Sequence, residues 1–152
     1  MSVVYSNTGT ISTNTALKDL RLSCVRDAIN GKVPAAWTGA GSTGVLIVGT
    51  ASLATTAGTG AAAGELCRFT IPNPCGTVTG GVLTFAGTPI NNTGTAVAGT
   101  AALAQFRDNA GNVIVSGLTV GITGSSADVI IDSVTISAAQ VVTFVSGTIT
   151  HG

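Results

Sequence analysis

Leu66-Cys67-Arg68-Phe69-Thr70-Ile71, closed by Pro72-Asn73-Pro74, is the stretch on which the fold turns. In an extended chain Cys67, Phe69 and Ile71 share one side and Leu66, Arg68 and Thr70 the other, the period of a half-buried strand. The prolines end it, since each lacks an N–H and restricts the residue before it. Other short apolar runs lie between turn signals. Val45-Leu46-Ile47-Val48 lies between Gly44 and Gly49, and Val82-Leu83-Thr84-Phe85 follows Gly80-Gly81. Residues 101–107 lead through Asp108-Asn109-Ala110-Gly111-Asn112, a compact hairpin loop, into Val113-Ile114-Val115. Residues 129–136 and 141–150 complete the set. About seven or eight short strands with Gly-rich turns predict a mainly β chain, a single-domain β-sandwich or jelly-roll-like fold.

Upstream the period changes. In residues 14–30, NTALKDLRLSCVRDAIN, Leu17, Leu20, Cys24 and Ala28 recur at three- and four-residue steps, with Val25 and Ile29 beside them. This predicts one N-terminal α-helix, capped at its start by Thr13, Asn14 or Thr15 and closed by Asn30-Gly31. Six of the twelve charged residues (Lys18, Asp19, Arg21, Arg26, Asp27 and Lys32) fall here or just beyond, as on a helix wet on one face. Residues 1–13 read as an arm and 14–152 as one β-rich domain. Val3, Val4, Tyr5 and Ile11 are the candidate partner-binding residues, apolar enough to lie on a neighbouring sheet edge and order there. Residues 50–64, TASLATTAGTGAAAG, have no period and read as a flexible loop with a contact role. Trp37 is expected to plug the helix-to-sheet junction.

Only 8% of the 152 residues are charged, against about 25% in ordinary domains, and the formal net charge is zero. Such a surface has little colloidal protection alone and suits one covered in an assembly. It suits neither nucleic acid, which demands clustered Lys and Arg, nor an anionic membrane. Residues 1–7 carry no basic n-region, so a secretory signal is not expected.

Chemistry is hard to assemble from this inventory. His151 is the only histidine and is expected to fray with the C-terminus, which removes Ser–His and Cys–His catalysis. Asp128 and Asp132 share a strand face but lie about 13 Å apart at 3.3 Å per residue, too far to share a proton or an ion, and read as solvated. Asp108 is expected to brace its turn. Cys24, Cys67 and Cys75 are odd in number and form no Cys-x-x-Cys, so buried thiols are expected; a Cys67–Cys75 bridge across the turn stays open. Gly39-Ala40-Gly41-Ser42-Thr43-Gly44 fits G-x-G-x-x-G but precedes a strand-like run, whereas a dinucleotide fold has a helix there. Asn91-Asn92-Thr93 is formally a glycosylation sequon. No catalytic residue, metal or cofactor is expected.

The order of these pieces carries a resemblance. The polar arm precedes Arg26-Asp27-Ala28-Ile29 and a Gly-rich apolar strand, then Phe69-Thr70-Ile71-Pro72 and Gly80-Gly81-Val82-Leu83-Thr84. Gly99-Thr100-Ala101, Phe106-Arg107-Asp108, Asp128-Val129-Ile130-Ile131-Asp132 and a Thr/Val-rich last strand follow. This pattern resembles small virion proteins of tailed bacteriophages, including head decoration or cement proteins. The chain departs from them in its extra glycines and its Pro72-Asn73-Pro74-Cys75 turn. The resemblance implies a subunit made in the host cytoplasm and used in many copies on the capsid surface or elsewhere on the particle, with the major capsid protein as partner; the scarce, balanced charge adds the expectation of self-association as a dimer or trimer. The alternative is a tail, fibre or adhesin domain that binds a host surface; aromatics at 4% weigh against a glycan reader.

Overall fold

The computed structural model describes residues 14–32 and 41–151. They form helix α1 (Asn14–Ile29) and strands β1 (Gly44–Gly49), β2 (Glu65–Ile71), β3 (Gly76–Thr79), β4 (Val82–Phe85), β5 (Ile90–Asn91), β6 (Gly99–Thr100), β7 (Leu103–Arg107), β8 (Val113–Gly121), β9 (Val129–Ile131), β10 (Thr135–Ile136) and β11 (Thr143–Thr150). The fold is mainly β with one helix ahead of the strands, as the periodicity predicts. The run 129–136 breaks into β9 and β10, and β8 extends well past Val115.

One hydrogen-bonded path joins the strands in the order β2-β1-β7-β8-β9-β11-β4-β3, with β5 also on β11 and β6–β10 a separate pair. The pairings are antiparallel except β8–β9. The sheet curls until the far edge of β2 reaches the chain after β5. There the Thr93 N–H donates to the Arg68 carbonyl at 2.8 Å and the Val97 N–H to the Leu66 carbonyl at 2.8 Å. Curling covers an edge that would otherwise template aggregation. It also brings opposite limbs face to face, as in a sandwich. Phe85 of β4 stacks on Phe106 of β7 with ring centroids 4.1 Å apart, and Phe69 meets Phe144 at 6.0 Å. All four phenylalanines are thus in one core, with Leu46, Val48, Ile71, Leu83 and Ile131.

The β3–β4 hairpin turns on Gly80-Gly81, whose φ angles of 61° and 80° are both left-handed. A two-residue turn of this hand matches the strand twist and needs residues without a Cβ penalty. At the end of α1 the Lys32 N–H donates to the Asp27 carbonyl and the Gly31 N–H to that of Ala28, both at 2.9 Å, with Gly31 at φ 70°. This is a Schellman cap.

The helix face is shifted from the centre of the predicted stripe to its flank of Val25 and Ile29. Leu22 and Ile29 are buried, Val25 packs against the core, and Cys24 is exposed. Residues 22, 25 and 29 keep the same three- and four-residue spacing as the 17-20-24-28 set, so two overlapping stripes compete. The helix turns the former toward β3, β4 and β8. Asn30 does more than end the helix. Its Nδ2 donates to the carbonyls of Ser42 (2.8 Å) and Pro72 (2.9 Å), and its Oδ1 accepts from the Cys75 N–H (2.8 Å). One buried amide thereby joins three segments of chain.

Candidate functional site

The six carboxylates are spent on the fold. Asp19 accepts from the Gly81 N–H at 2.6 Å, Asp27 pairs with Arg26 at 2.9 Å, and Glu65 pairs with Arg68 at 2.6 Å. Asp108 accepts from the Asn112 N–H and side-chain amide at 2.9 and 2.8 Å, the turn brace read from the sequence. Asp128 and Asp132 are not merely solvated. They flank β9 and fasten it on both sides, Asp128 accepting from the Thr119 N–H and Oγ1 of β8 at 2.8 Å, Asp132 from the Thr143 N–H of β11 at 2.9 Å. His151 is tied rather than frayed: its N–H donates to the Gly81 carbonyl at 2.9 Å, and its ring lies 3.4 Å from Arg21. Among the described residues no three of His, Cys, Asp and Glu converge as a metal site would need.

The cysteines are all free thiols, so the Cys67–Cys75 bridge is not formed. Burial pushes Cys67 up to about 12, with Glu65 and Asp132 adding to it. Burial likewise pushes Cys75 up to about 12, against the lowering influence of Arg26. Neither is a thiolate nucleophile at neutral pH. Cys75 Sγ instead donates to the Arg26 carbonyl at 3.5 Å. The glycines at 41 and 44 lead into β1, a strand, so the G-x-G-x-x-G match lacks the helix N-terminus that binds pyrophosphate. The sequon asparagine, Asn91, accepts from Thr143 Oγ1 at 3.1 Å, and its neighbour Asn92 braces the loop, Nδ2 donating to the Gly94 carbonyl and Oδ1 accepting from the Val142 N–H.

Two surface regions remain. The first is the outer face of β2-β1-β7. Register places Arg68, Ile47 and Gln105 side by side across these strands, with Arg107 beside Val45. Residues 50–64 lie over this face as a strap. Gln105 Nε2 donates to the Ala54 carbonyl (3.2 Å), and Arg107 to those of Thr56 (3.0 Å) and Gly58 (2.6 Å). Arg68 reaches those of Thr59 (3.2 Å) and Gly60 (3.1 Å). The Gly58 N–H returns to the Gly111 carbonyl at 3.0 Å. A Cβ at Gly111, where φ is 87°, would run into the Gly58 backbone. The segment read as a flexible loop is therefore tied along its length. Sequence reasoning missed the anchors, because Gln105 and Arg107 alternate with Ala104 and Phe106 exactly as wet residues on an outer face do.

The second region is a pair of loops, residues 92–98 and 137–142. They hold each other by main-chain bonds, Asn92 N–H to the Val142 carbonyl and Ala139 N–H to the Ala96 carbonyl, both 2.9 Å. Val97 is 57% exposed and Val141 63%, the two most exposed large hydrophobics described. Ala98, Ala138 and Ala139 are exposed beside them, and neither loop carries a charged residue. Ala139 holds φ at 61°, a left-handed angle uncommon for a residue with a Cβ. A neutral apolar surface of this kind is suited to protein contact.

The predicted contact residues Val3, Val4, Tyr5 and Ile11 lie outside the described residues, as do Thr13 and Trp37. No helix among the described residues is long and apolar enough to cross a membrane. Comparison with protein-family models, with curated proteins and with solved structures finds no match.

Proposed function

We propose that the chain is a non-catalytic virion structural protein of the head decoration or cement type, which stabilises a capsid by binding at the junctions between its subunits. The observation that carries this reading is the use of charge. Every carboxylate is committed to a turn, a strand or an ion pair, while the surface offers Val97 and Val141 on loops without a charge. A protein that invests its scarce charges in its own fold and presents neutral apolar loops is built for burial against another protein. The sequence pattern shared with small phage virion proteins points the same way. Its partners in this reading are the major capsid protein and other copies of the chain, with no nucleic acid or membrane involved.

The test is cryo-electron microscopy of purified particles with mass spectrometry of separated heads and tails. Many copies on the head are expected, with loops 92–98 and 137–142 or the arm at the contact. Density on the tail alone would favour the host-binding alternative. Absence from particles would overturn the virion reading altogether.

A further inference from the structure

We propose that the pocket between the strap and the outer face of β1 and β7 binds a single carboxylate against Arg107. The pocket is a cavity of about 160 Å³ whose walls include Ile47, Gly58, Thr59, Arg68, Arg107 and Asp108. One water needs on the order of 10–15 Å³ of such space, so a carboxylate with some of its hydration fits.

Arg107 lacks a counter-ion among the described residues. It is 2% exposed, and a buried cation without a counter-ion is costly. Among the described residues the ion pairs within 4.0 Å are Arg26–Asp27 and Arg68–Glu65, so Arg107 has none. Of its five N–H donors, two are used, on the carbonyls of Thr56 and Gly58. Its Nε is buried and has no partner. Arg107 and Gly58, whose carbonyl it holds at 2.6 Å, both line the cavity. The carboxylate already present does not serve: Asp108 makes no ion pair with Arg107 and turns its two oxygens to the amides of Asn112. A planar carboxylate matches the guanidinium fork, and the charge of Asp108 in the wall disfavours a dianion such as phosphate. The inference does not depend on the virion reading. The carboxylate can be a free small acid or the side chain of an acidic residue on a docked protein.

Thermal unfolding of the full chain in sodium acetate, with sodium chloride at matched ionic strength, tests it. A rise of about 2–4 °C in Tm over chloride is expected once acetate exceeds its Kd several-fold. The rise should vanish in Thr59→Phe, which fills the cavity from its exposed side and leaves Arg107 in place, and in Arg107→Gln if that variant folds. A second arm uses a glutamate tripeptide blocked at both ends. A rise at lower concentration than acetate identifies a protein-borne carboxylate, and a rise with acetate alone identifies a free acid. Superimposed acetate and chloride curves, or an acetate effect undiminished in Thr59→Phe, would overturn the proposal.

Discussion

Residues 50–64 and the loop pair 92–98 and 137–142 are made of the same stuff, Gly, Ala, Thr and Val or Leu with hardly a charge, and they do opposite things. The strap turns its carbonyls inward to three long side chains and covers Ile47, which is 1% exposed. The loop pair bonds through its main chain, within itself and to β2, and turns Val97 and Val141 outward. The difference lies beneath the loops and not in them. Gln105, Arg107 and Arg68 stand under the strap and supply donors that reach it, whereas the loop pair is held by main-chain bonds and by short polar side chains of its own, Asn92, Thr93 and Gln140.

The largest effect that can break this comparison is Arg107→Ala. It removes two charge-assisted hydrogen bonds in a buried site, each worth about 1.5–3 kcal/mol, less the relief of no longer burying an unpaired cation. A net loss of about 2–4 kcal/mol is expected in urea unfolding, with faster amide exchange confined to the strap. Exchange that quickens equally in loops 92–98 and 137–142 would show that the two regions are not independently held.

Arg68→Ala should cost less, about 1 kcal/mol, since its pairing with Glu65 is partly solvated. The expected result is local loosening around Thr59 and Gly60, read by the same exchange measurement. A cost equal to that of Arg107→Ala would assign the strap's anchorage to the wrong arginine.

The effect of pH is smaller and absent at neutrality. Cys67 and Cys75 are held up to about 12 against an ordinary value of 9.0, so the folded state keeps their protons longer than the unfolded state. Their contribution is fully present below pH 9 and is lost as pH rises toward 12. Urea midpoints should be level up to pH 9 and fall above it, and Cys67→Ala should flatten part of the fall. A midpoint that falls equally in Cys67→Ala would remove the thiol from the explanation.

The smallest effect on stability belongs to the exposed loops. Val97→Asp with Val141→Asp should change it by no more than about 0.5 kcal/mol, as surface substitutions do. Self-association in sedimentation should nevertheless drop. A large loss of stability would mean that these valines serve the fold and not a partner.

What was legible in the sequence follows from which forces are local. Period two in residues 66–71 and the Gly80-Gly81 pair declared their strand and turn, and Asp108 its brace, because each depends on neighbours within a few positions. The buried helix face was legible only in part: Val25 and Ile29 belong to the predicted stripe, but Leu22 and Cys24 are both apolar and only the sheet opposite selects between them. The strap was invisible for the same reason: Arg107 and its acceptor Gly58 are 49 positions apart. Asp128 and Asp132 looked solvated until β8 and β11 arrived beside them.

The most direct test of the central claim is retention of the protein on purified phage particles washed through a salt series. Contacts made by neutral apolar loops hold few charge pairs for salt to screen. The account predicts a protein that stays on the particle through 1 M salt, where the screening length is about 3 Å, and leaves only with denaturant. Release at moderate salt, or a protein never found on particles, would contradict it.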